Sequence, residues 1–304
     1  MDAEPSLMEQ IVGSGLLIPT GVDGVMAHSA RFDSVIEAVA ALAGRAGAMD
    51  RPELLRFPPA MVRANLERSG YLKSFPQLLG TIHCFCGNEA GHRQLLRCVE
   101  EGQDWTGQQQ PTDLLMTPAA CYPLYPIVAA RGALPPEGGL YDVLSWCFRH
   151  EPSKDPARMQ CFRMREFIRI GSEEQVLAFR QTWLDRAKDF ASQLGLPYEI
   201  DIANDPFFGR AGRLVADSQR EQKLKYELLI PVSSDDKPTA CMSFNYHLDH
   251  FGEPFGIRQA GGQVAISGCV GFGLERLALA LLRHHGVDPA HWPASVRSAL
   301  RLDA

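Results

Sequence analysis

The stretch that most limits how this chain can fold is CFRMREFIRIG, residues 161–171, where arginines and a glutamate interleave with large apolar side chains. In a strand, side chains alternate between faces. Phe162, Met164, Glu166, Ile168 and Ile170 therefore share one side, and Arg163, Arg165, Phe167 and Arg169 share the other. A carboxylate on the more apolar side costs free energy unless a cation or metal compensates it. The arginine side reads as a surface that grips an anion and stacks a ring.

The surrounding pattern alternates helices and short strands. ARFDSVIEAVAALAGRAG sets Phe32, Val35, Ile36, Val39, Leu42 and Ala43 at helical spacing, and a second helix is expected in PPAMVRANLERSGYL from Pro58. Strands are predicted in GTIHCF, DVLSWCFRHE, QCFRMREFIRIG, KYELLIPV and TACMSFNYH, separated by loops rich in Pro, Asp and Gly. A long helix from roughly Ser172 to Leu194 opens with SEEQ, a capping-box pattern, and places Val176, Phe179, Trp183, Ala187 and Phe190 on one side. A final helix begins in GFGLERLALALLRHHG. No internal repeat or low-complexity linker appears, so the pattern predicts an α+β fold, an antiparallel β-sheet flanked by helices.

Composition narrows the function. The 304 residues, 45% of them hydrophobic, can bury a full core, and the formal net charge of -6 argues against a dedicated nucleic-acid binder. Eight cysteines, with no signal peptide and no apolar run long enough to span a bilayer, read as reduced thiols in the cytoplasm. In HCFC, Cys84 and Cys86 alternate to one face and read as structural packing, with a metal site as the alternative. HLDHFG reads as a polar loop, with His247 or His250 as base or orienter in a thiol step as the sharper alternative.

Two stretches carry chemistry. In FRHE, Arg149 and Glu151 point the same way, about 7 Å apart on a strand. In GCVGFGLERLALALL, Gly271 and Gly273 let a strand end flush against a helix, and Arg276 emerges in the helix's first turn. An arginine fork suits phosphate because it offers bidentate, permanently charged hydrogen bonds.

FRHE, a loop and then RMREF resemble the second signature motif of class II aminoacyl-tRNA synthetases, and GFGLERLALALL resembles the third. MVRANLERSGYLKSFP, with Pro76, is a looser match to the first. TPAACYPL, KYELLIP and SFNYH resemble the amino-acid loop, active-site strand and serine-asparagine strand of seryl-type cores. The resemblance covers most of residues 57–286. It implies a class II synthetase-like catalytic core over 57–304, preceded by an N-terminal extension, 1–56, packed on it.

With so few residues outside the core, and with Cys121, Glu166 and Cys269 at the metal-ligand positions of methanogen-type seryl enzymes, the chain resembles the amino acid:[carrier protein] ligases. That resemblance implies ATP-dependent activation of a small amino acid, glycine ahead of alanine, and its transfer to the phosphopantetheine thiol of a carrier protein. It implies zinc on Cys121, Glu166 and Cys269; two thiolates and a carboxylate with an open fourth position suit that ion. Arg149 would hold the α-phosphate, Glu151 the adenine amino group, and Phe167 and Arg276 the two faces of adenine, with Arg276 reaching the γ-phosphate. Glu227 and Asn245 would serve the substrate. Thr239 and Ala240 occupy the stretch where seryl enzymes carry a glutamate for Mg2+, so the ligands of that ion are left open.

A small acidic carrier protein calls for a basic docking surface, for which GRAGRLVADSQREQKLK offers Arg210, Arg213 and Arg220; an ordinary solvated helix is the alternative. The first-motif helix with Pro76 implies a homodimer. A truncated tRNA-charging enzyme and a catalytically silent regulator are the competing classes. The acidic balance disfavours tRNA, and the presence of Arg149, Glu151 and Arg276 disfavours the regulator.

Overall fold

The protein is described here by a computed structural model covering residues 5–302. In chain order the strands are β1 (Leu17–Val22), β2 (Val25–His28), β3 (Glu53–Arg56), β4 (Ala60–Val62), β5 (Thr81–Cys84), β6 (Gln110–Met116), β7 (Gly139–Phe148), β8 (Cys161–Gly171), β9 (Glu199–Ile202), β10 (Lys225–Ile230), β11 (Thr239–Leu248) and β12 (Ile266–Gly273). The helices are α1 (Leu7–Gly13), α2 (Ala30–Gly47), α3 (Arg63–Arg68), α4 (Tyr71–Ser74), α5 (Glu89–Glu100), α6 (Leu124–Ala130), α7 (Glu173–Gln193), α8 (Gly209–Glu221), α9 (Gly252–Phe255), α10 (Leu274–His285) and α11 (Ala294–Leu300).

Seven strands form the main sheet in the order β3-β7-β8-β12-β11-β10-β9. Every pairing in it is antiparallel except β3 with β7. This is the expected α+β sheet, and β8 sits inside it rather than at an edge. The segment before Phe57, expected as an extension, supplies the edge strand β3 and helix α2, whose Phe32, Val35, Ile36 and Val39 belong to the main core. A smaller sheet, β4-β6-β5, stands apart from the main one.

Helices α2, α7 and α10 cover one face of the main sheet. The α7 capping box forms as the sequence predicts, with Ser172 and Gln175 exchanging side-chain and backbone hydrogen bonds. Its Trp183, Ala187 and Phe190 pack with Phe167, Phe244, Val270 and Phe272 from the sheet. Each large side chain buried in this way contributes roughly 1.5–3 kcal/mol. The helix expected from Pro58 is shorter: β4 comes first and the helix breaks at Gly70, which sits at φ +75. The helix expected to be the last is followed by α11.

The faces of β8 differ from the reading in which its arginines grip a ligand. Arg163, Arg165 and Phe167 point into the helix-covered face. Arg165 Nε donates to Asp142 Oδ1 at 2.8 Å, with its Nη2 on the other carboxylate oxygen. Arg163 donates from its backbone N to Glu275 Oε2 at 2.7 Å, from Nε to Glu275 Oε1 at 3.0 Å, and from Nη2 to Asp33 Oδ1 at 2.7 Å. Phe167 is 1% exposed and lies against Trp183, ring centroids 4.5 Å apart. The anion these arginines grip is the protein's own carboxylates.

Helix α2 approaches this face closely because it carries glycines where it crosses β8. A Cβ at Gly47 would fall 2.2 Å from the Phe167 ring, and one at Gly44 would fall 2.6 Å from the Arg165 guanidinium. Gly47→Ala is therefore expected to destabilise the fold by about 1–3 kcal/mol through overpacking. The check is a lower denaturant midpoint with an unchanged slope.

Candidate active site

The other face of the sheet brings the predicted polar residues together by register. Residues directly opposite each other across antiparallel strands share a face. One row runs Val143, Glu166, Gly271, Ser243, Glu227, Asp201 across β7, β8, β12, β11, β10 and β9. The next runs Tyr141, Ile168, Cys269, Asn245, Lys225. Glu166, Cys269, Asn245 and Glu227 thus come from four strands, β8 and the consecutive β10, β11 and β12. Gly271 leaves the middle of the first row without a side chain; a Cβ there would come 3.1 Å from Ser243 Oγ and 3.7 Å from Glu166 Cγ.

Cys121 reaches this face from the loop before α6. Its backbone N donates to Glu166 Oε1 at 3.2 Å, and the ligand atoms of Cys121, Glu166 and Cys269 all lie within 4.8 Å of one another. All three residues are buried. Burial pushes the Glu166 carboxyl up, and the Cys121 thiol is raised well above its usual range by its hydrogen bond to Cys269, by burial and by the Glu166 charge. Two sulfurs and a carboxylate held so close in a dry site form a donor set for a soft or borderline divalent cation. Asn245 Nδ2 donates to Cys269 Sγ at 3.3 Å and to Ser243 Oγ at 3.2 Å.

Arg149 follows β7 directly. Its Nε donates to the Pro118 carbonyl at 3.0 Å, its guanidinium lies 5.5 Å from the Phe162 ring centroid, and its two Nη groups have no protein partner among the described residues. Glu151, further along, faces Arg158 at 3.7 Å. Arg276 is pinned by Nε to the Ala157 carbonyl and by Nη1 to the Ala240 carbonyl, each at 2.9 Å. Its neighbour Glu275 points the other way, to Arg163.

Phe167 is the residue this geometry removes from the site, because it is buried beneath helices on the opposite face. Phe162 stands beside Arg149 instead, half-buried and opposite Cys147. Strand alternation already placed Phe162 with Glu166, and that was the signal to follow.

Asp205 has no counterpart among the residues expected from sequence, and Lys225, which the sequence reads only as part of the basic stretch before β10, is buried rather than presented to a partner. Lys225 is 8% exposed, and its Nζ lies 2.6 Å from Asp205 Oδ1 and 2.9 Å from Glu227 Oε1. Parity with Glu227 on β10 could have found Lys225; Asp205 sits in a loop with no periodic signal. Asp205 also exchanges two hydrogen bonds with Gln219 of α8, so α8 is tied at its base to this face. Arg210, Arg213 and Arg220 are exposed on α8 and have no ion-pair partner among the described residues.

Similarity to known proteins fits this arrangement. Two proteins of Bradyrhizobium diazoefficiens match along nearly their whole length. Amino acid--[acyl-carrier-protein] ligase 1 is 49% identical over 99% of this chain and 93% of its own, and ligase 2 is 51% identical over 93% and 84%. The chain belongs to the amino acid--[acyl-carrier-protein] ligases. Its fold matches that of an M. kandleri SerRS, solved in complex with A. aeolicus tRNASec, with a TM-score of 0.83 at 21% identity, covering 99% of this chain and 61% of that one. No protein-family model matches the chain. Among the described residues no helix is long and apolar enough to cross a membrane.

Outside the site, Cys84 and Cys86 are exposed rather than packed, which corrects the reading of HCFC as a structural pair. Alternation put them on one face, but β5 pairs only with β6, and that small sheet leaves the face open. A maleimide reagent under native conditions is expected to label these two thiols first, since Cys98, Cys121, Cys147, Cys241 and Cys269 are buried. Peptide mapping at short times checks this, with the fast phase absent from a Cys84→Ser, Cys86→Ser double variant.

Proposed function

We propose that the protein joins a small amino acid, glycine in preference to alanine, to ATP as an aminoacyl-adenylate and then transfers it to the phosphopantetheine thiol of a carrier protein. The observation that carries this reading is one sheet face holding both an arginine with unpartnered Nη groups, Arg149, and the Cys121, Glu166, Cys269 trio. The first suits a phosphate and the second a metal that takes the substrate's amino group.

In the first half-reaction a carboxylate oxygen of the amino acid attacks the α-phosphorus of ATP, and the bond to pyrophosphate breaks. Arg149 offers its two Nη groups to the α-phosphate, where negative charge builds in the transition state. Its tie to Pro118 fixes the guanidinium before substrate arrives. Phe162, in place of Phe167, provides the ring on which adenine stacks, and Arg276 covers it from the motif-three side and reaches the γ-phosphate. Glu151 accepts from the adenine amino group. ATP is taken with Mg2+.

Cys121, Glu166 and Cys269 would hold a zinc ion, which when bound offers an open Lewis-acid position to the amino group. Glu227 and Asn245 line the rest of the substrate's space. In the second half-reaction the carrier's thiol attacks the carbonyl carbon, a carbon–sulfur bond forms, and AMP departs.

Helix α8 is the proposed carrier dock. Its exposed Arg210, Arg213 and Arg220 stand beside Leu214, 73% exposed, which gives an acidic helical partner both charge and an apolar contact. The proposed homodimer interface is the apolar surface around Val62, Pro126 and Ile127, which borders a cavity of about 550 Å³.

Pyrophosphate exchange into ATP is expected to depend on glycine or alanine and to fall about 10²–10³-fold in Arg149→Ala, the loss typical of one transition-state donor. Phe162→Leu is expected to raise the KM for ATP without lowering thermal stability, whereas Phe167→Leu lowers stability first. Exchange that ignores both amino acids would refute the activation step. For the dock, Arg210→Glu, Arg213→Glu and Arg220→Glu together are expected to reduce carrier loading and its salt dependence while sparing exchange. Unchanged loading below carrier saturation would place the dock elsewhere.

A further inference from the structure

His247 lies where β11 departs from regular pairing. Tyr246 faces Gly268 of β12, but Leu248 faces Ser267, so His247 occupies a bulge between them. Leu248, the next residue, has φ +55, a conformation that branched and bulky side chains rarely adopt. Bulges of this kind turn a side chain away from the direction the strand would give it, and they cluster beside functional sites.

Here the bulge aims the imidazole at a sulfur. Nε2 of His247 is 3.5 Å from Cys269 Sγ. On the other side of the ring, Nδ1 is 3.1 Å from Ser267 Oγ and 3.5 Å from Tyr125 OH. The ring is further held edge-on by Phe251, centroids 5.1 Å apart, which itself stacks on Tyr125 at 3.8 Å. A hydroxyl donates readily to an unprotonated ring nitrogen, and that leaves the ring proton on the nitrogen facing the sulfur.

We propose that His247 is a positioning residue for the metal centre: its Nε2–H donates to the Cys269 sulfur and, with the Asn245 amide, holds that sulfur as a thiolate ligand. The inference rests on the reading of Cys121, Glu166 and Cys269 as a zinc site. Cys269 then receives two N–H donors, from Asn245 and His247, whereas no N–H donor to the Cys121 sulfur occurs among the described residues. The two sulfurs are unequal: Cys269 is oriented and its charge is spread over two donors, and Cys121 is left as the more electron-rich ligand. Groups outside the ligand set that fix a ligand's orientation typically govern 10- to 100-fold of metal affinity.

The test is zinc affinity, measured by competition with a chromophoric chelator, together with the thiolate-to-cobalt charge-transfer band of the cobalt-substituted protein. His247→Leu is expected to weaken zinc binding about 10- to 100-fold and to shift that band. His247→Gln, whose side-chain amide offers an N–H toward the same sulfur, stays close to the wild-type protein. Ser267→Ala, which removes the nearer partner of Nδ1 and keeps the ring, gives an intermediate loss and decides the matter if His247→Leu does not fold. Wild-type affinity and an unchanged cobalt spectrum in both the His247→Leu and Ser267→Ala proteins would overturn the role of His247. A wild-type chain that takes up no zinc would instead overturn the metal reading beneath it.

Discussion

The buried pairing of Arg163 with Glu275 and of Arg165 with Asp142, with the partly exposed Asp33 as a further partner of Arg163, is what allows a strand as charged as β8 to lie inside the sheet. Two guanidiniums under a helical layer are costly to desolvate, and removing one partner from such a pair typically costs about 3–5 kcal/mol. Here the carboxylates do more than neutralise. Glu275 opens α10 and Asp33 sits in the first turn of α2, so Arg163 joins the starts of two helices to the middle of the sheet. Asp142 lies on β7, so Arg165 locks two neighbouring strands in register. With that face fixed, the opposite one can afford open space and mismatched charges.

How much of this was legible in the sequence follows from what kind of signal each feature leaves. Local patterns were readable: the heptad-like spacing of α2, the SEEQ cap of α7 and the strands bounded by Gly and Pro all describe near neighbours. Alternation along β8 divided its residues correctly into two sets, but it carried no information on which set meets helices. Charged side chains suggested a ligand face, because Asp33 and Glu275, the partners of Arg163, lie more than a hundred residues away on either side, and Asp142, which holds Arg165, sits on the neighbouring strand. That is why Phe167 was assigned to the nucleotide and Phe162 was not. The Cys121, Glu166, Cys269 trio was visible only through family resemblance, since its spacing fits no local metal motif; register across β8 and β12 and a loop closing over them bring it together. Asp205 and the β11 bulge leave no periodic trace at all.

Consecutive residues with opposite duties tie the rigid face to the working one. Glu275 anchors α10 to β8, and Arg276, the next residue, turns instead to the Ala157 and Ala240 carbonyls. A helix held so firmly at its first turn fixes where Arg276 emerges, so the position of that guanidinium is set by the ion pair of the residue before it. β8 repeats the device, with Arg165 and Phe167 in the core flanking Glu166 at the open face. Precision at the site is inherited from packing behind it.

The same logic extends to α8 through a polar chain rather than an apolar one. Gln219 of α8 holds Asp205, Asp205 holds Lys225, and Lys225 holds Glu227 in the row that includes Glu166. Phe207 stacks on Phe75 at 5.0 Å, and the Phe208 backbone donates to Ser74, so the loop entering α8 is also fastened to the segment after α3. Lys225 is nearly buried between two carboxylates, and a buried cation keeps its charge only while those partners stay in place. A partner that shifts α8 must move Gln219 and Asp205, and moving Asp205 changes the field at Glu227. The α8 surface proposed as a carrier dock and the sheet row that holds Glu227 and Glu166 are therefore joined by the hydrogen bonds of Gln219 to Asp205 and the ion pairs of Lys225 with Asp205 and Glu227.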